Sequence, residues 1–245
     1  MDSNDSSQAL NGSVLVVGAY LLNKPNNIEH IVQNLRNSRK WKVVQKWVAL
    51  GEGDVPQALS NLTDFQQKDF VPKFILMNRL MHDEELKRYE FVVVCDDDIT
   101  LPDGFLDTYL DLQNRFDFSL AQPARTHASY IDHHFVGQLL GIKGRWTRFV
   151  EIGPLFSIRR DIFQEFIPLD EESPMGWGYD FVWPCIIEKM GRRMGIIDAT
   201  PVEHSMRKPV DNYEYDDSVQ IMERFISQRP HLSLLEAFRI LESYV

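Results

Sequence analysis

Three consecutive carboxylates, Asp96-Asp97-Asp98, follow directly on the apolar run Phe91-Val92-Val93-Val94-Cys95. Adjacent anions repel one another, so such a cluster calls for a cation among them. One chemistry that fits is a D-x-D pair, with Asp96 and Asp98 holding Mn²⁺ or Mg²⁺ against a diphosphate, because these ions take hard oxygen ligands and share them with substrate phosphates. A second is phosphoryl transfer, with Asp96 as nucleophile and Asp98 as acid/base. A third reading needs no ligand: aspartates after a strand cap the next helix.

Other residues add to the first reading. His204 stands at the expected end of a strand, where a neutral ring nitrogen can ligate a metal. Arg207 and Lys208 follow three and four residues later and would neutralise a leaving diphosphate. Asp180 comes after Gly176-Trp177-Gly178-Tyr179 at a helix start, as an N-cap or as a general base for an acceptor hydroxyl. Trp177 and Tyr179 offer flat rings to a sugar face, or to the core. The phosphoryl-transfer reading rests on Asp96-x-Asp98-x-Thr100, which matches the D-x-D-x-T motif of haloacid-dehalogenase-type phosphatases. That motif normally ends the first strand of its domain, whereas several elements precede it here.

The elements that must position these groups alternate in type. Buried-strand runs are expected at Ser13 to Tyr20, Trp41 to Leu50, Phe91 to Cys95, Phe118 to Ala124, Phe149 to Ile158 and Met194 to His204. Helical spacing marks Ile28 to Asn37, Pro72 to Leu86, the stretch after Pro102, Arg159 to Phe166 and Asp180 to Met190. Two helices are expected to close the chain, the second with a Ser233/Glu236 capping box. Strands without polar alternation are covered on both faces, so the fold class is α/β with a mixed, mostly parallel central sheet. Ligands then bind outside the carboxyl ends of the strands, where the aspartates stand. The least regular stretch, Arg125 to Arg148, holds Tyr130, His133, His134, Arg145 and Trp146 and is assigned to acceptor contact or a lid. His133-His134 lacks further ligands at zinc spacing.

At 245 residues, 44% of them hydrophobic, the chain can bury one large core. Residues 1–12 read as a disordered leader, 13–210 as the catalytic domain and 211–245 as a helical extension packed on it. No apolar run approaches the roughly 18 to 20 residues of a membrane span. The net charge of −10 argues against nucleic acid as a partner. Cys95 and Cys185 suggest neither a disulfide framework nor a thiolate site, which fits a cytoplasmic location.

Phe91 to Asp98, Gln122-Pro123-Ala124, Phe149 to Ser157, Gly176 to Asp180 and Val202-Glu203-His204 together resemble an unknown-function family of plants and bacteria. Its plant members are labelled lysine-ketoglutarate reductase trans-splicing related. The order of parts also resembles GT-A (Rossmann-like) glycosyltransferases, from Val14 to about Lys208. The resemblance implies a metal-dependent transferase moving a sugar from a nucleotide-diphosphate donor, a UDP-sugar favoured, to an acceptor hydroxyl on a glycan or other molecule; with Asp180 as base, inversion is expected. It gives Asp96, Asp98 and His204 to Mn²⁺ or Mg²⁺ and Asp180 to the base. Asp97 goes to the ribose, and Lys73, Asn78 and Arg79 to the nucleotide. The same analogy sets Glu151 near the site; Trp146, by its place in the irregular stretch, and Trp177 and Tyr179, by their rings, are assigned to the acceptor side. Only one carboxylate follows the Gly-Trp-Gly turn, unlike the Gly-Trp-Gly-x-Glu-Asp element of some galactosyltransferases. A non-catalytic nucleotide- or glycan-binding protein is the remaining alternative.

Overall fold

In chain order the elements are β1 (Gly12–Leu21), α1 (Ile28–Arg36), β2 (Trp41–Leu50), β3 (Thr63–Gln67), α2 (Lys73–Met81), β4 (Phe91–Cys95), α3 (Phe105–Arg115) and β5 (Phe118–Arg125). There follow β6 (Gly144–Thr147), β7 (Leu155–Arg159), α4 (Phe163–Phe166), α5 (Tyr179–Lys189), β8 (Arg193–Val202), α6 (Tyr215–Ser227), α7 (Leu234–Ala237) and β9 (Ile240–Tyr244). The structure is a computed structural model that describes residues 10–207 and 215–245; Lys208 and the first nine residues of the expected leader lie outside the described residues.

One sheet carries all the strands, in the order β3-β2-β1-β4-β7-β5-β8-β6-β9. The pairings make β1 to β5, β8 and β9 run one way, and β6 and β7 the other. The mixed, mostly parallel α/β sheet expected from the apolar runs is therefore present. Residues alternate between its faces. Val14, Val16, Phe91 and Val93 pack under α1 and α3, while Leu15, Val17, Val92 and Val94 pack under α2 and α5. Among the described residues no helix is long and apolar enough to cross a membrane.

Several local expectations change. Regular strand begins at Leu155 rather than Phe149; the Glu151 amide donates to the Gln122 side chain at 2.5 Å instead of to a neighbouring strand. Pro123 does not stop β5, which runs on to Arg125. The strand has already parted from β7 at Ala121, so a residue without an N–H is tolerated there. The polar edge strand β3 went unseen because it carries no apolar run. The C-terminal extension is not wholly helical: α7 ends at Ala237 and β9 pairs with β6, anchored by Tyr244 stacked on Phe116 at 4.2 Å.

The carboxyl edge of this sheet is where Leu21, Leu50, Cys95, Arg125 and Val202 end their strands, and where antiparallel β7 begins. Close packing fixes that edge. A Cβ on Gly18 would fall inside contact distance of the Cys95 carbonyl and the Trp47 ring. Gly18→Ala is therefore expected to cost about 1–3 kcal/mol by overpacking, read as a lower midpoint with unchanged slope in urea unfolding.

Candidate active site

β4 delivers the three aspartates to the carboxyl edge, and each meets a different partner. Asp96 is the most open of them; its Oδ1 lies 2.6 Å from Lys73 Nζ, which also donates to the Ile152 carbonyl at 3.2 Å. Asp97 is 3% exposed. Its Oδ2 accepts from the Leu21 amide at 2.8 Å, and the Arg207 guanidinium grips both of its oxygens. Asp98 Oδ2 faces His204 Nε2 at 3.2 Å and Arg207 Nη2 at 3.1 Å. Burial raises Asp97 above the usual carboxylate range, and Arg207 and the Leu21 amide offset this only in part. Burial also pushes Asp98 up, but His204 and Arg207 prevail and hold it below that range.

Arg125, at the end of β5, joins this group to a second one. Its Nη1 donates to His204 Nδ1 at 3.0 Å, and its Nη2 donates to Glu151 Oε2 at 2.6 Å and to the Gly153 carbonyl at 2.5 Å. The other oxygen of Glu151 lies 2.9 Å from His133 Nδ1. Asp180, in the first turn of α5, is buried nearby, and its Oδ1 has no hydrogen-bond partner among the described residues. Burial, with added repulsion from Glu151 and relief from His133, raises its pKa to about 7. The Glu151 hydrogen bond is the main cause that lifts His133 above its ordinary value.

The turn before Asp180 needs its glycines. Gly176 and Gly178 have φ of 91° and 90°, and a Cβ on Gly176 would press into Ile152 and Phe74. A cavity of about 410 Å³ opens at the end of β1, lined among others by Tyr20, Leu22, Asn26, Asn27, Asp54 and Pro56. The Asn27 amide donates to the Asp97 carbonyl at 2.6 Å, so this cavity adjoins the aspartates.

The expected site residues therefore divide. Asp96, Asp98, Lys73, His204 and Arg207 come together, with Asp180 at the far end of the Arg125 network. Asp97, expected at a ribose, is turned inward, its buried carboxylate held by the Leu21 amide and Arg207. Tyr179, expected at a sugar face, is 4% exposed, packs on Phe74, Trp183 and Phe225, and donates to the Asp170 carbonyl. Trp146 sits at the opposite end of β8 beneath Arg193, 4.4 Å away. Arg79 reaches Gln67 and Asn78 holds the Leu169 backbone. Glu151, expected at the acceptor, is 6% exposed and bonded to Arg125 and His133. Trp177 is half-buried. Arg145 is a buried anchor for Asp198 and for the Phe135 and Gly137 carbonyls. Sequence reasoning missed Arg125; its only signal was an arginine closing a buried strand.

Because Asp180 ionises near 7 in the folded chain against 3.8 ordinarily, its contribution to stability falls as pH rises from about 4 to about 7. Asp180→Asn is expected to raise the melting temperature more at pH 8 than at pH 5, by a difference on the order of 1–3 kcal/mol in thermal unfolding.

No protein-family model matches the chain and no curated protein matches it, so no match stands behind the resemblance to the plant and bacterial family. Solved structures do match. The crystal structure of GalNAc-T7 with UDP, GalNAc and Mn²⁺ superposes with a TM-score of 0.58 at 12% identity, covering 86% of this chain and 48% of the other. The chain thus spans about half the length of that protein. S. aureus TarS 1–349 in complex with UDP gives a TM-score of 0.47 at 12% identity, over 89% of this chain and 71% of the other. The shared feature is the fold, a GT-A-like α/β domain built on a mostly parallel sheet.

Proposed function

We propose that the chain is a glycosyltransferase that moves a sugar from a nucleotide-diphosphate donor, a UDP-sugar favoured, to an acceptor hydroxyl. The observation that carries this reading is the carboxyl-edge arrangement of Asp98, His204, Lys73 and Arg207 beside the cavity at the end of β1. The UDP in the GalNAc-T7 structure supports the donor class. The cavity takes the nucleoside, and Lys73 and Arg207 bring fixed positive charge to the diphosphate that departs.

The groups we assign to a divalent ion, Mn²⁺ or Mg²⁺, are Asp98 and His204, a carboxylate oxygen and a ring nitrogen of the kind such ions accept. Their facing atoms are 3.2 Å apart, and Arg207 Nη2, 3.1 Å from the same Asp98 oxygen, would turn toward the diphosphate if an ion were bound. Among the described residues no third His, Cys, Asp or Glu joins them, which leaves room for phosphate oxygens and water. Asp96 stays with Lys73. Since Arg125 can only donate to Nδ1, the ring proton of a neutral His204 sits on Nε2, the atom that would face an ion. When bound, the ion supplies Lewis-acid stabilisation of the diphosphate. An inverting course is proposed because a proton-accepting cluster, Asp180, Glu151 and His133, stands apart from the diphosphate groups. The unpaired cysteines, Cys95 and Cys185, support a reducing, cytoplasmic location.

Thermal unfolding with nucleotides tests the donor step. UDP with Mn²⁺ at about 100 times its Kd is expected to stabilise by about 2.7 kcal/mol, a rise of roughly 5–10 °C for a domain of this size. Asp98→Ala should abolish the Mn²⁺-dependent part. No shift with any nucleoside diphosphate or its sugars would sink the reading.

A further inference from the structure

The Arg125 network ends in a histidine whose geometry suits it better than Asp180 to meet an acceptor. A general base must come within about 2.6–3.2 Å of the hydroxyl it deprotonates. Asp180 is 8% exposed and its Oδ1 is enclosed. The His133 side chain, in contrast, is 30% exposed. The Glu151 carboxylate can only accept, so the 2.9 Å contact puts the ring proton on Nδ1. That leaves the Nε2 lone pair available, and this atom makes no hydrogen bond among the described residues. Phe149, Phe181 and Phe238 surround the ring edge-on, with centroids 5.2, 6.5 and 5.4 Å away, and fix its plane.

We propose that His133 is the catalytic base of the transfer, with Glu151 as its positioning residue and Asp180 as a buried counter-charge. This rests on the glycosyltransferase reading. The acceptor O–H gives its proton to His133 Nε2 as the oxygen forms a bond to the anomeric carbon. The bond from that carbon to the β-phosphate oxygen breaks, and its electron pair leaves with the nucleoside diphosphate. Three carboxyl groups near the ring favour the imidazolium so formed: Glu151 from the segment before β7, Asp180 from α5 and Asp132 from its own loop. Arg125 lies beyond Glu151 and holds it in place. With the acceptor unidentified, water serves as acceptor and nucleotide release as the readout.

The test measures UDP release from UDP-glucose, UDP-galactose, UDP-N-acetylglucosamine and UDP-N-acetylgalactosamine across pH, alongside UDP affinity and ring-carbon NMR titration of His133. His133→Gln is expected to slow release about 10²–10⁴-fold with UDP affinity unchanged. In wild type the rate should climb with pH through one ionisation above the ordinary histidine value of about 6.5. Glu151→Gln and Asp180→Asn should move both that limb and the NMR titration to lower pH, with Asp180→Asn losing far less rate than His133→Gln. A full rate in His133→Gln, or the reverse order of loss, overturns the proposal while leaving donor binding intact. Failure of all four donors and UDP to bind removes the glycosyltransferase reading instead. Should His133→Gln fail to fold, the coincidence of limb and titration in the other two variants decides.

Discussion

Packing three carboxylates at the end of one buried strand is the constraint to which the rest of this site answers. Left alone, Asp97 and Asp98 would be buried anions beside an anion, a costly arrangement. The fold meets it with cations fixed on different elements: Lys73 from α2, Arg207 from the segment beyond β8, and Arg125 from β5 acting through His204. Each carboxylate thereby acquires its own environment. Asp97 ties the end of β1 to Arg207, Asp98 faces His204, and Asp96 keeps open surface.

The reversal of β7 gives the edge its two sides. Because β7 runs against its neighbours, the segment from Phe149 to Pro154 reaches the carboxyl edge between β4 and β5 and carries Glu151 and Gly153 into the network. Arg125 therefore touches groups of both sides, the aspartate side through His204 and the buried acid cluster through Glu151. One guanidinium with five donors can do this; a lysine could not hold the same set of angles.

Much of this was legible in the sequence where composition and periodicity carry strong signals. The valine runs of β1 and β4 showed double burial, and the Gly176 to Asp180 turn showed its backbone by its glycines. Asp98 and His204, over 100 residues apart, were paired by resemblance and do meet. The illegible parts depend on direction and depth. Nothing in Tyr179 says that its ring faces Trp183 and not solvent. Nothing in Asp96-Asp97-Asp98 says which member turns inward, since a chain leaving its strand obeys no fixed period. β3 and β9 lie at sheet edges, where polar residues are acceptable and the apolar pattern fades.

The ion pair between Asp97 and Arg207 spans 110 positions of sequence, and those of Asp96 with Lys73 and Asp98 with His204 likewise join separate elements. Contacts of such separation form only after their loop-closure entropy has been met. The charge constellation is thus a property of the finished sheet: until the strands are assembled, its aspartates stay hydrated and without these partners. Anything that binds across them reports on the whole topology, and its stabilisation is distributed to every strand that the Asp97–Arg207 pair closes over.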